Sequence, residues 1–313
     1  MTGAEPLVTV VLATRNGAEF LGEQLTSIGM QRHQNWALRV SDDASTDATL
    51  ALLETFRREM PAGRVMIVTG PGRGATANFL TLLAGTGPQD GCLAFCDQDD
   101  IWLSEKLERA VAALATETGP AIYACAVVIT DAAARGAQVS ARPQRAFGFQ
   151  HALAENMLTG NSMVLNPQAA DLLRKALAEC RDLAALEAGF HDWLCLQLVT
   201  AAAGRVIFDP VPGLRYRQHL GNLVGSGQAK GRIRTRLGRV FGGEYGARVR
   251  RQAEGLLACP DLTATARRQV TALLALRGMW IWQRGPVIRD LGLYRQRSLE
   301  NLVLQVLLWT GRI

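Results

Sequence analysis

The sequence predicts an α/β fold: a Rossmann-like, mixed but mostly parallel sheet flanked by helices, followed by a helical extension. Three observations predict it. Apolar, β-rich runs alternate with amphipathic stretches from the N-terminus onward, the order that right-handed βαβ crossovers and a parallel sheet produce. Acidic and small polar residues collect where those runs end, and open α/β sheets bind ligands at the carboxyl ends of their strands. Residues 226–313 hold 16 Lys/Arg against 5 Asp/Glu, a net +11, while residues 1–225 carry −5; such asymmetry suggests two parts with separate tasks.

The elements follow in order. Leu7 to Ala13 is the first strand, and residues 17–31 place Phe20, Leu21, Leu25 and Ile28 on one helical face. Trp36 to Ser41 alternates as a second strand. Ser45 or Thr46 is positioned to cap the next helix, whose apolar face carries Leu50, Leu53 and Phe56. Arg64 to Thr69, Thr76 to Leu83 and Gly91 to Cys96 give a third strand, a third helix and a fourth strand. Ser104 to Leu114 reads as helix and Ala121 to Ile129 as strand, and the polar stretch Asp131 to Phe149 as a loop. Met157 to Leu165 is expected as a strand, Pro167 to Glu179 and Phe190 to Ala203 as helices, and Arg205 to Phe208 and Leu214 to Gln218 as two short strands. Glycine-rich Gly221 to Gly231 marks the expected boundary between a domain over 1–225 and a basic, mainly helical extension over 226–313.

Composition narrows the class. The chain has 313 residues, 48% hydrophobic and 20% charged, which is globular rather than disordered. Met1 to Pro6 shows no basic segment followed by an apolar one, so no signal peptide is expected. The longest apolar candidate, Val270 to Trp282, is interrupted by Arg277 and is too short to span a bilayer. The six cysteines form no CxxC pair and several sit in apolar runs, as reduced core thiols do. A cytoplasmic protein is expected.

Six motifs carry chemistry. Ala13-Thr14-Arg15-Asn16-Gly17 ends the first strand, where small and polar residues admit a base or ribose, or simply make a strand-to-helix turn. Asp42-Asp43 ends the second; ionised Asp accepts the imide N–H of a pyrimidine base, and neighbouring Ser45 and Asp47 suit helix capping. Gly70-Pro71-Gly72-Arg73-Gly74-Ala75 matches GxGxxA, but after the third strand instead of the first, which argues against a dinucleotide site and leaves a glycine loop with Arg73 near phosphates. Asp97-Gln98-Asp99-Asp100 puts three carboxylates at the end of the fourth strand. Acids so close repel one another, and a divalent cation carrying a phosphorylated ligand would justify them. His191-Asp192 opens an apolar helix, as a cap or as a base for an acceptor hydroxyl. In Tyr216-Arg217-Gln218-His219, a neutral imidazole suits the same metal and Arg217 suits a diphosphate, unless the segment is only a polar strand end.

Taken in order, these motifs resemble family 2 glycosyltransferases of the GT-A fold, rhamnosyltransferase-like members in particular. VVLATRNG, SDDASTD and FCDQDDIWLSEKL are similar to the opening strand, second strand and DXD segment of that family, and LTGNSMVLN, HDWLCLQLVTAAAGRV and YRQHLGNLVG to its acceptor side. The resemblance covers residues 6–225. It implies that Ala13, Thr14, Arg15, Asn16, Asp43, Arg73, Asn78 and Asp97 bind the nucleotide. Asp97, Asp99 and His219 would hold Mg²⁺ or Mn²⁺, and Gly160, Asn161, His191 and Arg217 would serve the acceptor and diphosphate side. Asp192 would be the catalytic base. Arg15 stands where the family often has an aromatic residue, which weakens a base-stacking role there, and His191 stands where it often has an acid.

The expected function is metal-dependent, inverting, non-processive sugar transfer. The donor would be a dTDP- or UDP-linked sugar, with rhamnose a candidate. The acceptor would be a hydroxyl of a glycan or lipid-linked glycan in cell-surface polysaccharide synthesis. The alternative is a non-catalytic nucleotide-sugar-binding scaffold of the same fold. No nucleic-acid partner is expected, since the basic tail shows no recognisable module. Lys230, Arg232, Arg234, Arg236 and Arg239, followed by Trp280, Trp282 and Trp309, suggest peripheral contact with the inner face of the plasma membrane.

Overall fold

The computed structural model describes residues 5–180, 182–187, 189–219, 243–259 and 262–313. The expected boundary at Gly221 to Gly231 and the basic cluster Lys230 to Arg239 lie outside the described residues. The chain forms two compact units built from interleaved stretches. The first takes residues 1–142, 158–178 and 204–223; the second takes 143–157, 179–203 and 224–313.

The first unit is an α/β layer built on one nine-stranded sheet. Its N-terminal half alternates β1 (Val8–Thr14), α1 (Ala18–Gly29), β2 (Trp36–Asp42), α2 (Thr49–Glu59), β3 (Val65–Thr69), α3 (Ala75–Ala84) and β4 (Cys92–Cys96). β5 (Ile101–Trp102), α4 (Lys106–Leu114), β6 (Ala121–Thr130) and β7 (Gln138–Val139) follow. After α5 (Phe149–Ala154), which belongs to the second unit, the sheet is completed by β8 (Met163–Leu165), with α6 (Pro167–Ala178) behind it. Beyond α7 (Leu183–Glu187) and α8 (His191–Ala201) comes β9 (Arg205–Arg217). The sheet order is β3-β2-β1-β4-β8-β6-β9-β5, with β7 paired to β6.

The first four strands are mutually parallel. The chain steps outward from β1 to β2 and β3, then returns to place β4 on the other side of β1. Strand order therefore reverses between β1 and β4, where doubly wound sheets open a ligand crevice. Burial on both faces explains the near-continuous apolar reading of these strands. Val8, Val10 and Leu12 pack with Leu21, Leu25 and Ile28 of α1. On the other face Phe95 meets Phe79 of α3 edge-on at 5.9 Å.

Three expectations need correction. The two short strands near 205–218 are one strand, because the Pro210–Gly213 stretch kinks the pairing with β6 around Ala126 without ending it. The strand expected over 157–165 shrinks to Met163–Leu165, since Gly160-Asn161-Ser162 forms a tight 3₁₀ turn. Ser45 and Thr46 do not cap α2, whose first N–H, that of Thr49, donates to Asp47 Oδ1 at 3.0 Å; they bond across to the turn after β1 instead.

The second unit is helical. α5, α7 and α8 combine with α9 (Glu244–Ala258), α10 (Ala264–Ala275), α11 (Ile281–Leu291) and α12 (Ser298–Thr310). α8 is apolar on all sides, with every residue from Trp193 to Thr200 buried. Trp193 Nε1 and Gln197 Nε2 both donate to the Ala152 carbonyl, at 2.6 and 3.1 Å, docking α8 on α5. α9 packs against α5, α7 and α8. Gly246 in α9 lies so close to the Arg312 carbonyl that any side chain there would collide with it.

Candidate active site

The crevice at the strand-order reversal is built from the ends of β1, β2 and β4. Beyond β1 the chain turns sharply, with Asn16 in the left-handed region at φ 47°, a conformation Asn tolerates better than most residues. Asn16 Oδ1 accepts from Thr46 N at 2.8 Å, and Asn16 N donates to Ser45 Oγ at 2.8 Å. Gly17 N donates to Thr49 Oγ1 at 2.8 Å. These bonds zip the two strand-end loops together. Thr14 is buried, and its hydroxyl donates to Asp42 Oδ2. Half-buried Ala13 is the last small residue before the turn.

Asp43 is buried, and its two oxygens accept from Gly72 N at 2.5 Å and Gly74 N at 2.9 Å. Gly72 and Gly74 adopt φ of 71° and 93°, which favours glycine. The glycine loop is thus a cradle for the Asp43 carboxylate, and two of its N–H groups are committed there rather than to a phosphate. A carboxylate has about four acceptor positions, so Asp43 retains capacity for a base N–H. The exposed Arg15 guanidinium approaches Asp43 to 4.0 Å, and Arg73 is exposed on the same glycine loop. Asn78 is a buried brace beneath the loops, donating to the Ser41 carbonyl at 2.8 Å.

At the end of β4 the acids separate into different environments. Gln98, between them, accepts from Arg15 N at 2.8 Å and donates to Arg15 O at 3.1 Å. Asp99 Oδ2 lies 2.8 Å from His219 Nε2, and the imidazole packs on Phe20 at 4.6 Å. Asp100 is fully buried, accepting from Asn161 Nδ2 and from Arg217 N. Burial pushes its pKa well above the usual carboxylate range, and Asp97 and Asp99 add to the shift. Arg217 is buried too. Its guanidinium donates to the Asp99, Ala132 and Glu23 oxygens and lies over Phe20. Arg217 and Asn161, expected on the diphosphate and acceptor side, thus hold the acid loop from behind. Gly160 opens the turn that presents Asn161.

A divalent cation fits the chemistry of this donor set. A hard carboxylate oxygen and an imidazole nitrogen stand together, leaving other positions for water and phosphate oxygens. Among the described residues no three His, Cys, Asp or Glu side chains are grouped to hold a metal. Asp99 and His219 are therefore the candidate ligands, and Asp97 does not join them in a three-ligand set.

Asp192 lies in the second unit, in the first turn of α8, with Oδ1 2.7 Å from Trp193 N. Burial lowers the pKa of the adjacent His191 to about 3, so its ring is neutral at ordinary pH.

The family model for Glycosyl transferase family 2 matches residues 9–180, more than half of the chain. The chain belongs to glycosyl transferase family 2. As a glycosyltransferase it is similar to dTDP-rhamnosyl transferase RfbG of Shigella flexneri, 26% identical over 247 residues covering 78% of this chain and 84% of that protein. It is also similar to the Escherichia coli UDP-Glc:alpha-D-GlcNAc-diphosphoundecaprenol beta-1,3-glucosyltransferase WfgD. That match is 29% identical and covers 34% of this chain and 40% of WfgD. Among solved structures, S. aureus TarS 1-349 in complex with UDP-GlcNAc aligns at TM-score 0.57 and 16% identity, over 91% of this chain and 81% of that one. The mannosyltransferase PcManGT from Pyrobaculum calidifontis, in complex with GDP-Man and Mn2+, aligns at TM-score 0.54 and 18% identity, over 97% and 87%. These likenesses establish the GT-A architecture.

Several residues of this glycosyltransferase site escaped sequence reasoning. Gln98 sits inside the acid run but drew no role, because its partner Arg15 lies 83 residues away. Phe20 reads as part of the apolar face of the first helix, and Glu23, which accepts from Arg217, drew no role. Lys106 is fully buried, its Nζ 3.3 Å from the Trp102 ring centre and its pKa lowered to about 8 by burial. A signal for it existed: Lys106, Ala110 and Leu114 share the buried stripe of α4 at four-residue spacing.

Proposed function

We propose that this enzyme transfers a sugar, with rhamnose the first candidate, from a dTDP- or UDP-linked donor to a hydroxyl of a glycan or lipid-linked glycan, with inversion, in the cytoplasm. The observation that supports this best is the meeting of three strand ends at one crevice. Asp43 and the Thr14–Asn16 turn stand on one side, and the Asp99–His219 pair on the other. We read this arrangement as a nucleotide site beside a place for a diphosphate. The likeness to RfbG supports rhamnose as the first candidate.

Asp192 takes the proton of the acceptor hydroxyl, whose oxygen forms the new bond to the anomeric carbon while the bond to the diphosphate oxygen breaks. Such general-base help contributes about 10²–10⁴ in rate. Asp99 and His219 would hold Mg²⁺ or Mn²⁺, which supplies charge stabilisation for the leaving diphosphate. Neutral His191 adds no like-charged carboxylate next to Asp192, leaving Asp192 as the acid in that turn.

The test is release of nucleoside diphosphate by the purified full chain with Mn²⁺, dTDP-rhamnose and a panel of UDP-sugars. Asp99→Ala and Asp192→Asn are each expected to lower turnover about 100-fold or more. Undiminished turnover in either would overturn the assigned roles. Tight nucleotide binding without release across donors and acceptors would favour the scaffold reading.

A further inference from the structure

The six tryptophans divide by burial. Trp36, Trp102 and Trp193 are core residues, while Trp280, Trp282 and Trp309 are exposed by 66%, 70% and 42%. All three exposed rings belong to α11, α12 and the residue leading into α11. Trp280 and Trp282 stack face to face, with ring centres 5.2 Å apart and planes within 5°. Trp309 lies across Gly285, where an added Cβ would sit 3.0 Å from its ring. Gly285 is one turn beyond Trp282, so the aromatic cluster continues from one helix to the other. On α12 the exposed apolar residues Leu299, Leu302 and Val306 recur at helical spacing up to Trp309, giving a single outward stripe.

The cluster is preorganised. Arg284 donates to the carbonyls of Leu276, Met279 and Trp309, tying the start of α11 to the end of α12. Charge around it is mostly positive. Residues 276–313 contain six arginines and two acids, and one acid, Glu300, is held by Arg295 at 3.1 Å. Arg277, Arg289, Arg297 and Arg312 are exposed.

We infer that this face is a docking surface for an anionic lipid bilayer. Tryptophan rings and leucines enter the headgroup boundary while arginines meet the anionic headgroups, as in helices that lie in the plane of a membrane. Charge decides against a second copy as the occupant. A two-fold dimer through this patch would set the same arginines against each other, whereas anionic lipids complement them. Among the described residues no helix is long and apolar enough to cross a membrane, so the contact is peripheral. It places the surface in α11 and α12, beyond the Lys230–Arg239 cluster.

The experiment uses the full chain with vesicles of phosphatidylcholine alone and with about 30% phosphatidylglycerol. Binding at least about tenfold stronger to the anionic vesicles is expected, with a blue-shifted tryptophan emission that brominated lipids quench. Trp280→Ala with Trp282→Ala should weaken binding about tenfold or more. The thermal transition should not move, because Trp280 meets its helix through the backbone N–H. Arg277→Gln with Arg289→Gln should abolish the preference for anionic lipid. Two results would overturn the inference: unchanged vesicle binding in both variants, or a concentration-dependent dimer lost in the tryptophan variant with no vesicle binding in the parent. Neither donor nor acceptor is present, so failure of the sugar-transfer reading would leave this measurement intact.

Discussion

Gln98 exchanges both hydrogen bonds of its side-chain amide with the backbone of Arg15. It thereby adds one rung to the ladder beyond Leu12 and Cys96, the last paired residues of β1 and β4. The turn after β1 and the acid loop are locked to each other by this one amide. Gly17 makes the lock possible, since a Cβ there would stand 2.3 Å from Gln98 Oε1. Its φ of −100° is open to alanine, so Gly17→Ala tests the collision alone. The expected result is a stability loss of about 1 kcal/mol in urea unfolding. Nucleoside-diphosphate affinity, measured by calorimetry, should weaken about tenfold. Unchanged affinity would mean that the lock does not shape the pocket. The places of Asp43 and Asp99 at strand ends were legible, because acids crowd there in the sequence; the 2.8 Å approach of His219 to Asp99 was not. The commitment of Arg217 and Asn161 to bracing was not, because it depends on burial and on partners 61 to 194 residues away.

Elements of the first unit were legible wherever a strand or helix was long and periodic; β1 to β4 and α1 to α4 all form close to their expected bounds. Short pieces were not. α5 and α7 have six and five residues, too few turns to show a period, and they are held by tertiary contact. Glu155, just after α5, illustrates that contact. It accepts from Arg295 Nη2 at 2.7 Å and Gln296 N at 3.0 Å, with His151 Nε2 3.4 Å away. Burial alone would raise its pKa, but the bonds from His151 and Arg295 and the charge of Arg295 lower it from 4.5 to about 2. A folded-state pKa below the unfolded one stabilises the fold above the unfolded value, and that contribution disappears as pH falls. The window therefore runs from about 4.5 down toward 2. Glu155→Gln is expected to cost a few kcal/mol at about pH 7 and to flatten the loss of stability on acidification, read from thermal unfolding across that window. Parallel acid limbs in the two proteins would contradict it.

Over the whole molecule, the change of charge near residue 225 was visible in the sequence, but the interleaving was not, since nothing in a local pattern tells which distant helices will share a core. The second unit gathers α5, α7 and α8 from before that point with α9 to α12 from after it. A protease site inserted between residues 225 and 226 and then cut should therefore leave two fragments that co-elute in native gel filtration. They should part only in denaturant, because α9 packs on all three earlier helices. Separation without denaturant would contradict this account of the core. The same interleaving also sets a timetable for synthesis. The first unit has its last segment once residue 223 is made, whereas α8, buried on all sides, is complete at Ala201 and α9, which packs on it, ends only at Ala258. At about 5–20 residues per second, that tract waits several seconds or more beside the ribosome before its core exists, so the second unit is the part of this enzyme that most needs a chaperone.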